Sequence, residues 1–311
     1  MTKIDILKRI FKAHNFSLAS ITLNINSLIN AEGKKVFKNF NLKELTVDET
    51  IDEVIQNKKS LSRFGDGEIA IMTRDHGVGF QEKNDKLADR LFDVFTSSLP
   101  SHLVALPDQM LYINNSVRQT RKFWMSFLLK HEKFLLAHLK KDKIYGNTNI
   151  TRFYMVFKDK VKASSRFEHL KKIWEGKDIL IVEGEFSRSG IGNDLYKDAK
   201  SVKRILCPAK NAFNIYDKIF NETKKHGQDK LILLALGPTA TVLAHDLALE
   251  NYWALDLGHL DVEYMWMLNK STSKTEIKGR YVNESANSHI EELDVNTLSD
   301  YNNQVVSKIL N

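Results

Sequence analysis

Asp66 and Glu68 stand two residues apart in the run Arg63-Phe-Gly-Asp-Gly-Glu68. Two carboxylates on a short, rigid turn offer hard oxygen ligands to Mg2+ or Mn2+. Such ions keep several waters and take their remaining ligands from a substrate diphosphate. Gly65 and Gly67 permit the tight or left-handed backbone that the turn needs. The same residues also describe a plain turn into a helix, with one carboxylate receiving the first helical N–H groups. On spacing alone that plainer description prevails, because Asp-x-Glu is a common pattern.

Three further segments carry polar groups of chemical interest. In Val182-Glu-Gly-Glu-Phe-Ser-Arg-Ser-Gly-Ile-Gly-Asn-Asp194 an apolar run ends and a helix is expected to open, where N–H groups and the helix dipole attract an anion. Ser187, Arg188 and Ser189 add donors. Only Gly190 and Gly192 match a dinucleotide fingerprint, and the lysine of a P-loop is missing. Asn193 or Asp194 capping a helix explains the stretch as well as a phosphate does. In Ala235-Leu-Gly-Pro-Thr-Ala-Thr241, Gly237 ends a strand, Pro238 suits a first helical turn, and Thr239 or Thr241 supplies a hydroxyl.

The last segment crowds Asp256, His259, Asp261 and Glu263 at the end of an apolar run. Clusters of this kind shift pKa values and supply general bases. On an extended segment His259, Asp261 and Glu263 share one face; a hydrogen-bonded polar loop is the alternative. No second His or Cys lies nearby at helical metal-ligand spacing, which argues against zinc. The single cysteine, Cys207, excludes an intramolecular disulfide and reads as a small buried side chain.

The elements that must position these groups follow from patterning. Apolar runs at 60–64, 102–106, 143–150, 178–183, 202–207, 231–236 and 253–257 read as strands. Stretches at 46–58, 86–99, 116–140, 194–200, 212–225 and 239–250 read as helices. The alternation indicates an α/β chain with a mostly parallel sheet and helices on both faces. Ligands of such sheets bind beyond the carboxyl ends of the strands, where all four polar segments fall.

The 311 residues are 42% hydrophobic and 27% charged with only four prolines, which excludes disorder and a Pro-rich linker. A formal net charge of +7 suits acidic partners such as nucleotides or phospholipid surfaces. No Arg-rich run with interleaved aromatics appears, so nucleic acid is not an expected partner. Residues 1–44 carry eight Lys and Arg against three acids, with Ile6, Leu7, Ile10 and Phe11 at helical spacing. This basic N-terminal extension, 1–45, either packs on the main domain or a partner, or makes a peripheral contact with an anionic membrane. No run approaches the roughly twenty apolar residues of a membrane span, and Lys8, Arg9, Lys12 and His14 interrupt any signal-peptide core. The expected location is the cytoplasm, at the inner face of the membrane if the extension binds there.

These motifs, with Asn211-Ala-Phe213, Tyr216-Asp217 and Gly279-Arg-Tyr-Val-Asn-Glu284, resemble the GT-D glycosyltransferases (formerly DUF1792). The resemblance runs in order over residues 46–286 and leaves 287–311 as a C-terminal tail. It implies a Rossmann-like domain, a nucleotide-sugar donor, UDP-sugars first, and a glycan or glycoprotein acceptor. It places a divalent metal, Mn2+ or Mg2+, on Asp66 and Glu68. It implies donor contacts at Arg63, Ser187, Arg188, Gly190, Asn193, Gly237 and Thr239. His259, Asp261 and Glu263 become the candidate catalytic bases. Met265 departs from the pattern, standing where an acidic residue is expected.

Overall fold

The computed structural model describes residues 37, 39–282 and 294–310. The extension at residues 1–36 and the end of the Gly279–Glu284 motif lie outside the described residues. Lys43–Glu44 (β1) leads into Val47–Asn57 (α1), where Thr46 and Glu49 exchange capping hydrogen bonds and Val47, Ile51 and Val54 form the buried stripe. Ser60–Arg63 (β2) is followed by Asp66–Met72 (α2), Asp85–Thr96 (α3), His102–Leu106 (β3), the single turn Gln109–Tyr112 (α4) and the long Arg118–His138 (α5). Then come Ile144–Asn147 (β4), Ala163–Lys171 (α6), Asp178–Gly184 (β5), Ser201–Cys207 (β6), Tyr216–Gly227 (α7), Leu231–Ala235 (β7) and Pro238–Leu249 (α8). Trp253–Asp256 (β8), Leu260–Leu268 (α9), Val295–Gln304 (α10) and Val305–Lys308 (β9) follow among the described residues.

Among the described residues nine strands pair in parallel in the order β1-β4-β3-β2-β8-β7-β5-β6-β9. Alternate residues serve opposite faces. Leu61, Leu103, Ala105, Ile179, Ile181 and Leu255 join α1, α6 and α9 in one core layer. On the other face Val104 and Leu106 meet α2, α3 and α5, while Leu180, Val182, Ile232 and Leu234 meet α7 and α8. Each fully buried side chain of this size contributes about 1.5–3 kcal/mol, which fixes the register of every central strand.

Two departures from the sequence expectations have physical causes. Residues 194–200 form turns, not a helix. Leu195 and Tyr196 are both buried, and the Asp194 carboxylate is drawn to Lys171 (3.0 Å) and the Tyr264 hydroxyl (2.6 Å). The segment expected as a tail supplies α10 and the edge strand β9, paired with β6. Its anchor is buried and charged. Glu183, with no exposed surface, accepts from Arg204 Nη1 (2.6 Å) and the Tyr301 hydroxyl (3.0 Å), while Arg204 Nε donates to Gln304 (2.7 Å).

Candidate active site

β2 and β8 are neighbours, yet their continuations leave in opposite directions. α2 packs on one face of the sheet and α9 on the other. Their diverging carboxyl ends therefore open a crevice at a topological switch point, the usual ligand position in such sheets.

The floor of this crevice is a lock between the last residues of the two strands. Arg63 donates from Nε to the Asp256 carbonyl (2.8 Å) and from Nη2 to Asp256 Oδ1 (2.9 Å). Asp256 Oδ2 also accepts from the Thr241 hydroxyl (3.2 Å). Gly258 sits in the left-handed region at φ 47 and presses on the guanidinium; a Cβ there would overlap Nη2 and come within 3.0 Å of Cζ. Arg63 thus pairs with Asp256 and with neither Asp66 nor Glu68.

Above the lock, Gly65 begins α2. Glu68 reaches back from the first turn to accept from the Gly65 N–H (2.8 Å), while Asp66 is exposed at the helix start. Locally Glu68 satisfies the helix end, as the plainer description has it, and the two carboxylates share one turn. The Glu68 carboxyl is pushed up to about 7, first by burial and then by Asp256, against the pull of Arg63. Among the described residues no group of three or more His, Cys, Asp or Glu is placed to hold a metal. Two carboxylates alone fit a hard ion that completes its shell with water and phosphate oxygens, as Mg2+ and Mn2+ do.

The loop after β5 is organised around the chain's own carboxylates. Asp261 Oδ1 accepts from the Gly190 N–H and from Asn193 Nδ2, both at 2.8 Å, and Oδ2 lies 2.9 Å from Arg280. Ser189 N–H donates to Glu183 (2.8 Å), and Arg188, at φ 45, donates to the Gly279 carbonyl (2.9 Å). Gly190, Asn193 and Arg188 are engaged inside the protein, and no helix opens there to cradle an anion. Ser187 remains half-buried in the loop. Gly237, two residues past β7, caps α8 at φ 55 and Pro238 opens α8 as expected, but the Phe80 ring lies against Gly237. Thr239 is fully buried, its hydroxyl without a hydrogen-bond partner among the described residues.

Asp261 and Glu263 lie in the first turn of α9, not on an extended segment, so the three do not share one face; only His259 and Glu263, four residues apart, stack along the helix. Glu263 has no exposed surface and accepts from the N–H groups of Tyr154 (3.1 Å) and Met155 (2.9 Å). Both carboxylates are buried, fix α9 to neighbouring loops and face Arg280 and Arg152, which sets them away from an acceptor hydroxyl. His259 keeps a half-buried place at the start of α9, beside the lock.

Sequence reasoning missed Phe80, far from any motif, and Asp108, just beyond β3. Asp108 is buried and accepts from Asn149 Nδ2 (3.2 Å). Burial pushes its carboxyl up to about 7, opposed by Arg166 and Asn149. A raised folded-state pKa means that the native state keeps a proton the unfolded chain has released. The resulting destabilisation is absent at pH 4 or below and grows as pH rises to about 7. Asp108→Asn, which keeps the acceptor, should therefore raise Tm at pH 8 by the equivalent of a few kcal/mol, at about 1.4 kcal/mol per pKa unit, and leave it nearly unchanged at pH 4. Equal Tm shifts at both pH values in thermal melts would refute this.

The fold defines the class: a parallel α/β protein with a carboxylate pair beside the switch point of its sheet. A model of the glycosyltransferase GT-D fold matches residues 61–285, and the chain belongs to this glycosyltransferase family. Glycosyltransferase GlyD of Streptococcus pneumoniae serotype 4 is 38% identical over 266 residues, 85% of this chain and 32% of that protein. The probable glycosyl transferase Gly of Streptococcus gordonii is 35% identical over 268 residues, 85% of this chain and 38% of that one. The chain thus spans about a third of the length of these curated relatives. A solved domain of unknown function 1792, described as having a distinct glycosyltransferase fold, is 38% identical with a TM-score of 0.83, covering 90% of this chain and 99% of its own. A glycosyltransferase of the same type from Streptococcus sanguinis is 33% identical with a TM-score of 0.81, covering 86% and 99%.

Proposed function

We propose that this chain moves a sugar from a nucleoside diphosphate donor, a UDP-sugar first among the candidates, to a hydroxyl of a glycan or glycoprotein acceptor, with a divalent ion on Asp66 and Glu68. The observation that carries this reading is the carboxylate pair at the switch-point crevice of a GT-D fold. When bound there, the ion offsets negative charge building on the departing diphosphate. The Arg63–Asp256 lock fixes the strand ends beneath the pair. His259, at the start of α9, is our candidate to take the proton from the acceptor hydroxyl. Asp261 and Glu263 hold α9, and with it His259, against the loops at 190–193 and 154–155. Among the described residues no helix is long and apolar enough to cross a membrane. A cytoplasmic enzyme, reaching membrane-borne acceptors through its basic N-terminal segment, fits this reading.

A panel of nucleotide-sugars tests it. With Mn2+ or Mg2+, one donor should release nucleotide, and EDTA should stop that release. Release unaffected by EDTA would remove the metal from the reaction, and calorimetry showing no nucleotide binding would end the donor reading.

A further inference from the structure

Residues 78–81 form a tight turn, closed by Val78 N–H to the Gln81 carbonyl (2.8 Å) and Gln81 N–H to the Val78 carbonyl (3.0 Å). It is docked at three points. Val78 packs on Gly67, where a Cβ would come within 2.9 Å of Cγ1. The Phe80 carbonyl accepts from the Asn211 N–H (2.9 Å), and the Asn211 side chain accepts from Glu82 N–H (2.8 Å). The Phe80 ring meets Gly237 at the start of α8. A Cβ at Gly237 would overlap Cε2 and lie 3.0 and 3.1 Å from its ring neighbours Cδ2 and Cζ, the pattern of an in-plane, edge-on approach. That contact uses the ring's edge and neither of its faces.

Phe80 is half-buried and belongs to none of the hydrophobic core clusters. A large apolar ring held rigidly outside the core, at the carboxyl end of a parallel sheet, needs another reason to be there. Its neighbours supply one. The turn touches Gly67, between Asp66 and Glu68, at one side and the end of β7 at the other. β7 lies two strands from β2, a separation of about 10 Å.

We infer that Phe80 is the platform on which the base of the donor nucleotide stacks, while its diphosphate extends toward Asp66 and Glu68. The inference rests on the donor reading above and adds to it the residue that recognises the nucleoside. Stacking tolerates any base because every base has a π-face, so Phe80 supplies affinity for a nucleoside without choosing among bases.

The test is calorimetry with Mn2+, using the tightest binder among UDP, GDP and ADP, and pyrophosphate as the base-free probe. Phe80→Ala should weaken nucleotide binding about tenfold to a hundredfold and leave pyrophosphate binding unchanged. Phe80→Trp, which restores a ring, should bind nucleotide close to the wild-type level and also checks folding. Phe80→Ala that binds nucleotide as well as the wild type, or more tightly, would overturn the platform, the latter by showing that the ring masks the start of α8. Equal weakening of nucleotide and pyrophosphate would overturn it too. A wild-type protein that binds neither probe would instead bring down the donor reading itself.

Discussion

Replacing Asp66 by Ala should lower metal-dependent sugar transfer at least about a hundredfold with almost no change in Tm. Asp66 is exposed at the first position of α2 and supports no core contact, so its loss removes the proposed ion ligand and little else. Glu68→Ala should cost as much activity but also some stability, because Glu68 caps the Gly65 N–H (2.8 Å); losing such a cap costs about 1 kcal/mol. Glu68→Gln separates the two roles: its amide oxygen can keep the cap while the charge is gone. It should melt like the wild type at pH 4 and somewhat higher at pH 8, where the wild type carries a carboxyl raised to about 7, and it should turn over like Glu68→Ala. Donor turnover, Mn2+ titration and thermal melts on the three variants decide the matter. Full activity in Asp66→Ala and Glu68→Ala would remove the metal assignment.

The largest expected loss of stability lies elsewhere, at Arg204. Glu183 is fully buried, and Arg204 is its charge partner at 2.6 Å. Arg204→Ala leaves that carboxylate with the Ser189 N–H and the Tyr301 hydroxyl, both neutral donors. Stranding a buried charge in this way costs about 3–5 kcal/mol, equivalent to a Tm drop on the order of 10 °C for a chain of this size. The same change breaks the Arg204 bond to Gln304 (2.7 Å) and the cation–π contact with Tyr301 (4.7 Å), two of the ties on α10. Proteolysis within residues 294–308 should therefore accelerate along with the fall in Tm. Adding Glu183→Gln to Arg204→Met removes both charges and should recover much of the loss. An Arg204→Ala protein as stable as the wild type would show that the pair is not what anchors the C-terminal segment.

The legibility of the chain varied with the range of the interactions concerned. α1 was readable because Thr46, Glu49 and the Val47, Ile51, Val54 stripe lie within three turns of one another. The central strands were readable because both faces of the sheet are covered, leaving near-continuous apolar runs such as Ile179–Val182. β9 was not, because Val305 and its neighbours are half exposed at an edge and gain their place through a buried ion pair about a hundred residues away. The supposed helix at 194–200 failed for a related reason: Lys171 and Tyr264 claim Asp194 from distant parts of the chain.

By itself the sequence determined the parallel α/β architecture, the order of its central elements and the Asp66–Glu68 turn, since each depends on neighbours in the chain. Only the tertiary structure decided which polar groups face the crevice and which are enclosed. Arg63 meets Asp256, Asp261 meets Gly190 and Asn193, Glu263 meets Tyr154, and Phe80 meets Gly237, all across separations of more than sixty residues. The physical reason is burial. A carboxylate taken out of water must find donors wherever the fold brings them, and that choice is made by packing, not by spacing along the chain.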